Sequence, residues 1–318
     1  MLFRSFQDFH NVAFEYQVAP QRPADEKVYS LTYVAPLPFE HDLLAVYAVD
    51  TNSNVAAVGA LNLLGVGQVY GVHLIHPFAS NATFWQNLNF GADFKDFSQT
   101  VNVVGAPPDK TPIRYINWSL VYSLNEHTQQ QDTSVNIGVD FGIRGLPNDS
   151  NQFDYKRYDA QADYLYLKGQ VERRQSLPFG TSIDVRLGLQ LVDDPLISNE
   201  QLGLGGIDSV RGYLESLELA DSGGSAQVEL RTPTWNFGRN PANNHIGAYV
   251  FYDRGYGWII DPLPAQQSTY DLESVGAGVR FILLRGFDGM LEWADPLKSV
   301  STVVKGHSRL EFQAHYGF

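Results

Sequence analysis

The chain closes on Arg309-Leu310-Glu311-Phe312-Gln313-Ala314-His315-Tyr316-Gly317-Phe318. Leu310, Phe312, Ala314, Tyr316 and Phe318 share one face; Arg309, Glu311, Gln313, His315 and Gly317 share the other. A period of two is a strand with one apolar and one polar face. A soluble strand rarely ends on an exposed aromatic. Aromatic rings favour the membrane–water boundary, so a lipid-facing strand ends this way naturally. Taken alone, the segment fits the last strand of a soluble sandwich equally well, and the rest of the chain decides.

The same alternation recurs throughout. Val135, Ile137, Val139, Phe141 and Ile143 interleave with Asn136, Gly138, Asp140 and Gly142. Ile183, Val185, Leu187, Leu189 and Leu191 interleave with Asp184, Arg186, Gly188 and Gln190. Val275, Ala277, Val279, Phe281 and Leu283 interleave with Gly276, Gly278 and Arg280, and Ile116, Trp118, Leu120, Tyr122 and Leu124 face away from Asn117, Ser119 and Ser123. Similar segments begin near Val12, Tyr29, Leu43, Tyr70, Leu88, Leu165, Ala226, Ile246 and Gly289. The count is about fourteen strands of roughly nine to eleven residues, the span of a tilted membrane strand. No amphipathic helix is expected, and no blade-length repeat is evident.

Composition excludes several classes. The 318 residues carry a formal charge of −13, whereas nucleic-acid binding needs a basic surface. No cysteine is present, which removes disulfides, thiolate metal sites and a cysteine nucleophile. Mean hydropathy is −0.21 and no run of eighteen apolar residues occurs, so spanning helices are excluded. A β-barrel is not, because each strand is only half apolar. The start, Met1-Leu-Phe-Arg-Ser-Phe-Gln-Asp-Phe-His10, has no apolar core of a signal peptide.

Connection lengths alternate, as an up-and-down barrel demands. Counting back from Phe318, Lys298 to Ser308 is long, Arg285 to Gly289 short, and Gly255 to Tyr270 long. Thr232 to Asn244 is medium, Val192 to Glu218 is the longest, Arg173 to Gly180 is short and Gly145 to Ala160 long. Asn125 to Thr133, His76 to Thr83 and Ala35 to Asp42 are short to medium, while Phe94 to Pro112 and Asp50 to Gly65 are long.

The longest connection contains Glu200-Gln-Leu-Gly-Leu-Gly-Gly-Ile-Asp-Ser-Val-Arg-Gly-Tyr213. It closely resembles the Gly-Gly-x-x-Ser-Val-Arg-Gly-Tyr/Phe element of the Omp85/TpsB superfamily of outer-membrane β-barrel transporters. One strand later, Phe251-Tyr-Asp-Arg-Gly255 matches that superfamily's Phe-x-Asp-x-Gly element. Asp221-Ser-Gly, Glu229-Leu-Arg-Thr-Pro233, Leu31-Thr-Tyr-Val-Ala-Pro-Leu37, Gly278-Val-Arg-Phe281 and Ala294-Asp-Pro-Leu297 resemble the two-partner secretion (TpsB, haemolysin activation/secretion) branch.

The resemblance implies an all-β, antiparallel transmembrane β-barrel, sixteen-stranded in the family and about fourteen-stranded as visible here. Residues 1–318 are then one C-terminal barrel domain with a lumenal loop over 192–218. The family's POTRA domains, plug helix and signal peptide, and the first two strands, are expected to be absent. The motif residues are Gly205, Gly206, Ser209, Val210, Arg211, Gly212 and Tyr213 in the loop, and Phe251, Asp253 and Gly255 on the wall. A cation enclosed in a lumen needs a partner, and the parity of Ile246, Ala248, Val250 and Tyr252 turns Asp253 inward, so Arg211 is expected to pair with it. Read without the family, the loop is an exposed glycine-rich hairpin. Leu310, Phe312, Tyr316 and Phe318 would be the signal read by the outer-membrane barrel assembly machinery.

Other motifs are weak. Gly203-x-Gly-Gly and Gly65-x-Gly-x-x-x-Gly71 lack the Lys-Ser/Thr of a nucleotide loop. His73 and His76 fall on opposite strand faces, and no Ser, His and acid cluster can be assembled. Arg173-Arg174 reads as a solvated charge pair. The expected function is a pore that passes an unfolded, β-rich partner exoprotein across the outer membrane, as a monomer without cofactor, metal, catalysis or nucleic acid. An Omp85-type assembly factor, a passive porin and a lipid-hydrolase barrel are the alternatives; porins have no need of the paired motifs.

Overall fold

In the computed structural model the described residues are 2–4, 10–18, 27–38, 41–52, 55–58, 61–64, 66–101, 109–238, 244–264, 266–283 and 286–316. Phe318 lies outside them. The main sheet contains β1 (Leu2–Arg4), β2 (Asn11–Val18), β3 (Lys27–Pro36), β4 (Leu43–Thr51), β5 (Gly67–Pro77), β6 (Phe84–Val101), β7 (Asp109–His127), β8 (Gln131–Gly142), β9 (Leu165–Ser176), β10 (Ser182–Val192), β11 (Ser222–Arg231), β12 (His245–Trp258), β13 (Thr269–Leu283), β14 (Phe287–Pro296) and β15 (Arg309–Tyr316). Strand order follows chain order from β1 to β15, with Trp235–Asn236 added beside β12. A strand at Leu2–Arg4 therefore precedes the one read near Val12.

The chain divides into two compact units. The first comprises 1–124, 136–168 and 191–201; the second comprises 125–135, 169–190 and 202–318. In the first, Tyr29, Leu31, Tyr33, Val46, Tyr70, Val72 and Leu74 are exposed, while Val28, Ser30, Val49, Val69, Asp93, Asn117 and Ser119 are buried. In the second, register aligns one apolar row across six strands, Ile183, Leu230, Val250, Ala277, Trp293 and Leu310. Side chains of the opposite parity, Gln227, Glu229, Asp253, Ser274 and Glu292, are buried. The apolar face is thus the exposed one, the reverse of a soluble sheet and the pattern a lipid-facing wall requires.

Two expectations need correction. The connection from Gly145 to Ala160 holds a helix, α1 (Ser150–Lys156). Asp149 caps it by accepting from the Asn151 amide, and its one buried residue is Phe153. Seven residues show too little periodicity for a sequence to reveal a helix. The segment from Phe94 to Pro112 is not mainly loop, since β6 and β7 run for 18 and 19 residues. Alternation fails there because the polarity inverts: Phe97 is 1% exposed beside the buried Asp93, and Asp96 takes the outer parity. Antiparallel neighbours continue to satisfy each other's backbone groups beyond the apolar band.

Leu187, on the exposed face of β10, should tolerate a charge badly. Leu187→Arg is expected to cost about 2–4 kcal/mol if the site lies near the bilayer midplane. Reversible unfolding in lipid vesicles measures it; a cost near zero would remove the lipid-facing assignment.

Candidate functional site

The site is built in the second unit by the tip of the long connection and the inward residues of β11, β12 and β14. The connection turns on a short hairpin, Leu202–Leu204 with Glu218–Ala220. Gly205, Gly206 and Gly212 take φ values of 109°, 94° and 85°, a region in which a Cβ is strained. Ser209 closes the turn: its Oγ accepts from the Gly205 amide at 2.8 Å and donates to the Gly205 carbonyl at 2.9 Å. Val210 and Tyr213 are buried in an apolar cluster with Leu204, Ala220, Leu272, Val300 and Val303. The Tyr213 hydroxyl reaches the Lys298 carbonyl at 2.8 Å and the Glu273 carbonyl at 3.0 Å.

These contacts deliver Arg211, only 2% exposed, to the wall. Its Nε and Nη2 donate to the two oxygens of Asp253, each at 2.7 Å, and its amide donates to Asp253 Oδ2 at 3.1 Å. Nη1 donates to Glu229 Oε1 at 2.5 Å and to Glu292 Oε2 at 3.1 Å. The guanidinium carbon lies 3.5 Å from the centre of the Phe251 ring. Burial alone would lower the Arg211 pKa, but the hydrogen bonds and charge of Asp253, with Glu292 and Glu229, outweigh it and raise it. A planar fork on a carboxylate over an aromatic face suits Arg and not Lys.

Each wall residue of the motif has a distinct task. Phe251 stacks, Asp253 pairs, and Gly255 leaves room, since a Cβ there would stand 2.8 Å from Val210 Cγ2. Motif and strand parity place Arg211 opposite Asp253, whereas no local sequence signal assigns a role to Glu229, Glu292, Tyr249, Arg280 or Gly276. Arg280 holds Glu229 at 2.8 and 3.1 Å, and Tyr249 donates to Glu292 Oε2 at 2.7 Å. Gly276 admits the Phe251 ring, which a Cβ would approach to 2.3 Å. The inward parity of Glu292, between the outward Leu291 and Trp293, was legible; the clearance at Gly276 was not.

Leu310, Phe312 and Tyr316 are exposed on β15, Phe312 at 75%. Arg174 meets Asp184 at 3.0 Å, and Arg173 donates to Gln131. His73 and His76 have separate partners, Asp93 and Asp42. Among the described residues no group of three or more His, Asp or Glu side chains is arranged to hold a metal ion.

Gly276→Ala should force Phe251 out from beneath the guanidinium. The expected cost is about 1–3 kcal/mol, as for an overpacked core, read from thermal unfolding. A further expectation concerns Glu215, whose carboxylate overlies Gly206. Desolvation, then the charge of Asp208, raises its pKa to about 7, with Glu311 adding and an Ile207 backbone hydrogen bond opposing. A carboxyl raised above its ordinary value favours the folded tip at low pH, and that contribution is lost as pH rises toward 7. Protease sensitivity at the tip should therefore be greater at about pH 8 than at about pH 6. Glu215→Gln should flatten the profile; an unchanged profile in that variant would exclude Glu215 as its cause.

Comparisons with known proteins bear on the family and the fold. A family model described as haemolysin secretion/activation protein ShlB/FhaC/HecB matches residues 5–281. The heme/hemopexin transporter protein HuxB of Haemophilus influenzae (strain 86-028NP) is 26% identical over 144 residues, 42% of this chain and 25% of that protein. CdiB from Escherichia coli superposes with a TM-score of 0.74 at 16% identity, covering 97% of this chain and 56% of that one. BamA from Haemophilus ducreyi lacking POTRA domains 1–3 gives 0.63 at 12% identity, covering 96% and 64%. The chain spans less than two thirds of each of these proteins. The fold is the Omp85/TpsB outer-membrane β-barrel, and the chain belongs to the ShlB/FhaC/HecB haemolysin secretion/activation family.

Proposed function

We propose that this chain is the pore-forming barrel of a two-partner secretion transporter. It passes an unfolded, β-rich exoprotein from the periplasm to the cell surface without nucleotide hydrolysis. The 192–218 connection lies in the lumen, and the Arg211 set holds it there. The observation that carries the reading is the buried Arg211–Asp253 pair in a chain of a secretion family. The exoprotein and the outer-membrane lipid are the partners, the protein acts as a monomer, and no catalysis, cofactor or nucleic acid is involved. The barrel assembly machinery reads Leu310, Phe312, Tyr316 and Phe318. An assembly factor of the BamA kind shares the fold, but the family match favours secretion.

Arg211→Ala takes the buried cation from Asp253 and one partner each from Glu229 and Glu292, and Asp253→Ala leaves the guanidinium to Glu229 and Glu292 alone. Breaking such a pair costs about 3–5 kcal/mol. Either variant is expected to abolish export of the partner exoprotein while the barrel remains inserted. The double variant should be no worse than the worse single one, because the two residues act together. Undiminished export by inserted Arg211→Ala would end the proposal that this pair serves secretion.

A further inference from the structure

The first unit contains a second buried ionic cluster. Its centre is Glu200, 4% exposed, eleven residues before Arg211 in the same connection. Lys95 Nζ of β6 donates to Glu200 Oε1 at 2.5 Å. The Tyr115 hydroxyl of β7 donates to the same oxygen, and the Tyr166 hydroxyl of β9 donates to Oε2 at 2.8 Å. Lys95 also lies 5.5 Å from the centre of the Tyr115 ring. One carboxylate thus ties the connection to three strands.

The segment before it is equally enclosed. Leu196 and Ile197 are each 1% exposed. Arg157, which follows α1, donates through Nη1 to the Leu196 carbonyl at 2.5 Å. Phe153 of α1 meets Tyr115 edge-on at 5.5 Å between ring centres. The helix and the Glu200 cluster together seat residues 195–200. A connection that merely crossed between strands needs no buried Lys–Glu pair, because both charges lose hydration unless each is fully satisfied.

We propose that Lys95 and Glu200 are positioning residues of the pore: their pair fixes the first arm of the long connection in the non-conducting arrangement, separately from the Arg211 set at its tip. The inference rests on the secretion reading, in which this connection lies in the lumen. The two attachments share no side chain. Loss of one charge at the first leaves its partner unpaired and favours release of the arm into water. Reversing both charges keeps the pair.

No cysteine occurs in these 318 residues, so a thiol introduced among them, with any cysteine elsewhere in the full-length protein replaced, reports this site alone. Ile197→Cys, in an otherwise unchanged chain, should react slowly with a water-soluble maleimide. Adding Lys95→Met or Glu200→Gln should accelerate labelling by at least about tenfold, as expected for local opening, and should raise the ion conductance of the protein in planar bilayers. The reversal Lys95→Glu with Glu200→Lys should restore both readouts. Where a charge variant does not insert, Tyr166→Phe removes one bond to Glu200 and should give a smaller rise in both. Unchanged labelling, unchanged conductance, or an increase that the reversal leaves in place would overturn the proposal. Export of exoprotein is scored separately on Arg211→Ala, so failure of the secretion reading and failure of the anchor are distinguishable.

Discussion

A guanidinium withdrawn from water is the constraint around which the second unit is arranged. Arg211 meets three carboxylates and an aromatic face, and each of those groups is itself held. Glu229 is shared with Arg280 and Arg231. Glu292 takes the Tyr249 hydroxyl. Asp253 also accepts the Arg211 backbone amide, so the pair fixes main chain as well as side chain. Two glycines give the space: Gly276 for the Phe251 ring and Gly255 for Val210. Removing one member of an ion pair in this set leaves a buried charge less fully paired, and that costs more than the pair itself contributes; enlarging either glycine overpacks the site instead.

The fold was legible because a barrel that faces lipid has only one way to write its strands. Every outward residue must be apolar and every backbone group must be paired, so alternation survives even where composition looks soluble. It was lost only where that rule lapses. Beyond the apolar band the inner face can take an aromatic such as Phe97 and the outer face a charge such as Asp96, and the sequence then reads as loop. In α1, burial of the single residue Phe153 replaces periodicity as the source of order.

The candidate site was half legible, for a related reason. Arg211 and Asp253 were found because a conspicuous local motif named one and strand parity aimed the other. Glu229 and Glu292 obey the same parity, but nothing local distinguishes an inward carboxylate that binds a loop from one that faces water. Register decides it. Asp253 lies opposite Gln227 and Ser274, and Phe251 opposite Glu229 and Gly276, and such cross-strand partners depend on contacts far apart in the chain. Lys95 and Glu200, 105 positions apart, are hidden for the same reason.

Ionic attachment suits a segment that has to be held firmly and still released. An apolar plug keeps much of its adhesion when water reaches its edge, because its stability follows buried area. A charge pair behaves differently. Its attraction is strong in a dry, low-dielectric surround and falls severalfold as water enters, while the separated charges regain hydration. In the proposed role, a polar polypeptide entering the pore brings water and hydrogen-bonding groups to the carboxylates of the Arg211 set. It thereby weakens the very contacts that oppose it. Tyr213, buried with Val210 and Leu272, retains the apolar share of the attachment and gives the tip a preferred place to return to once the polypeptide has passed.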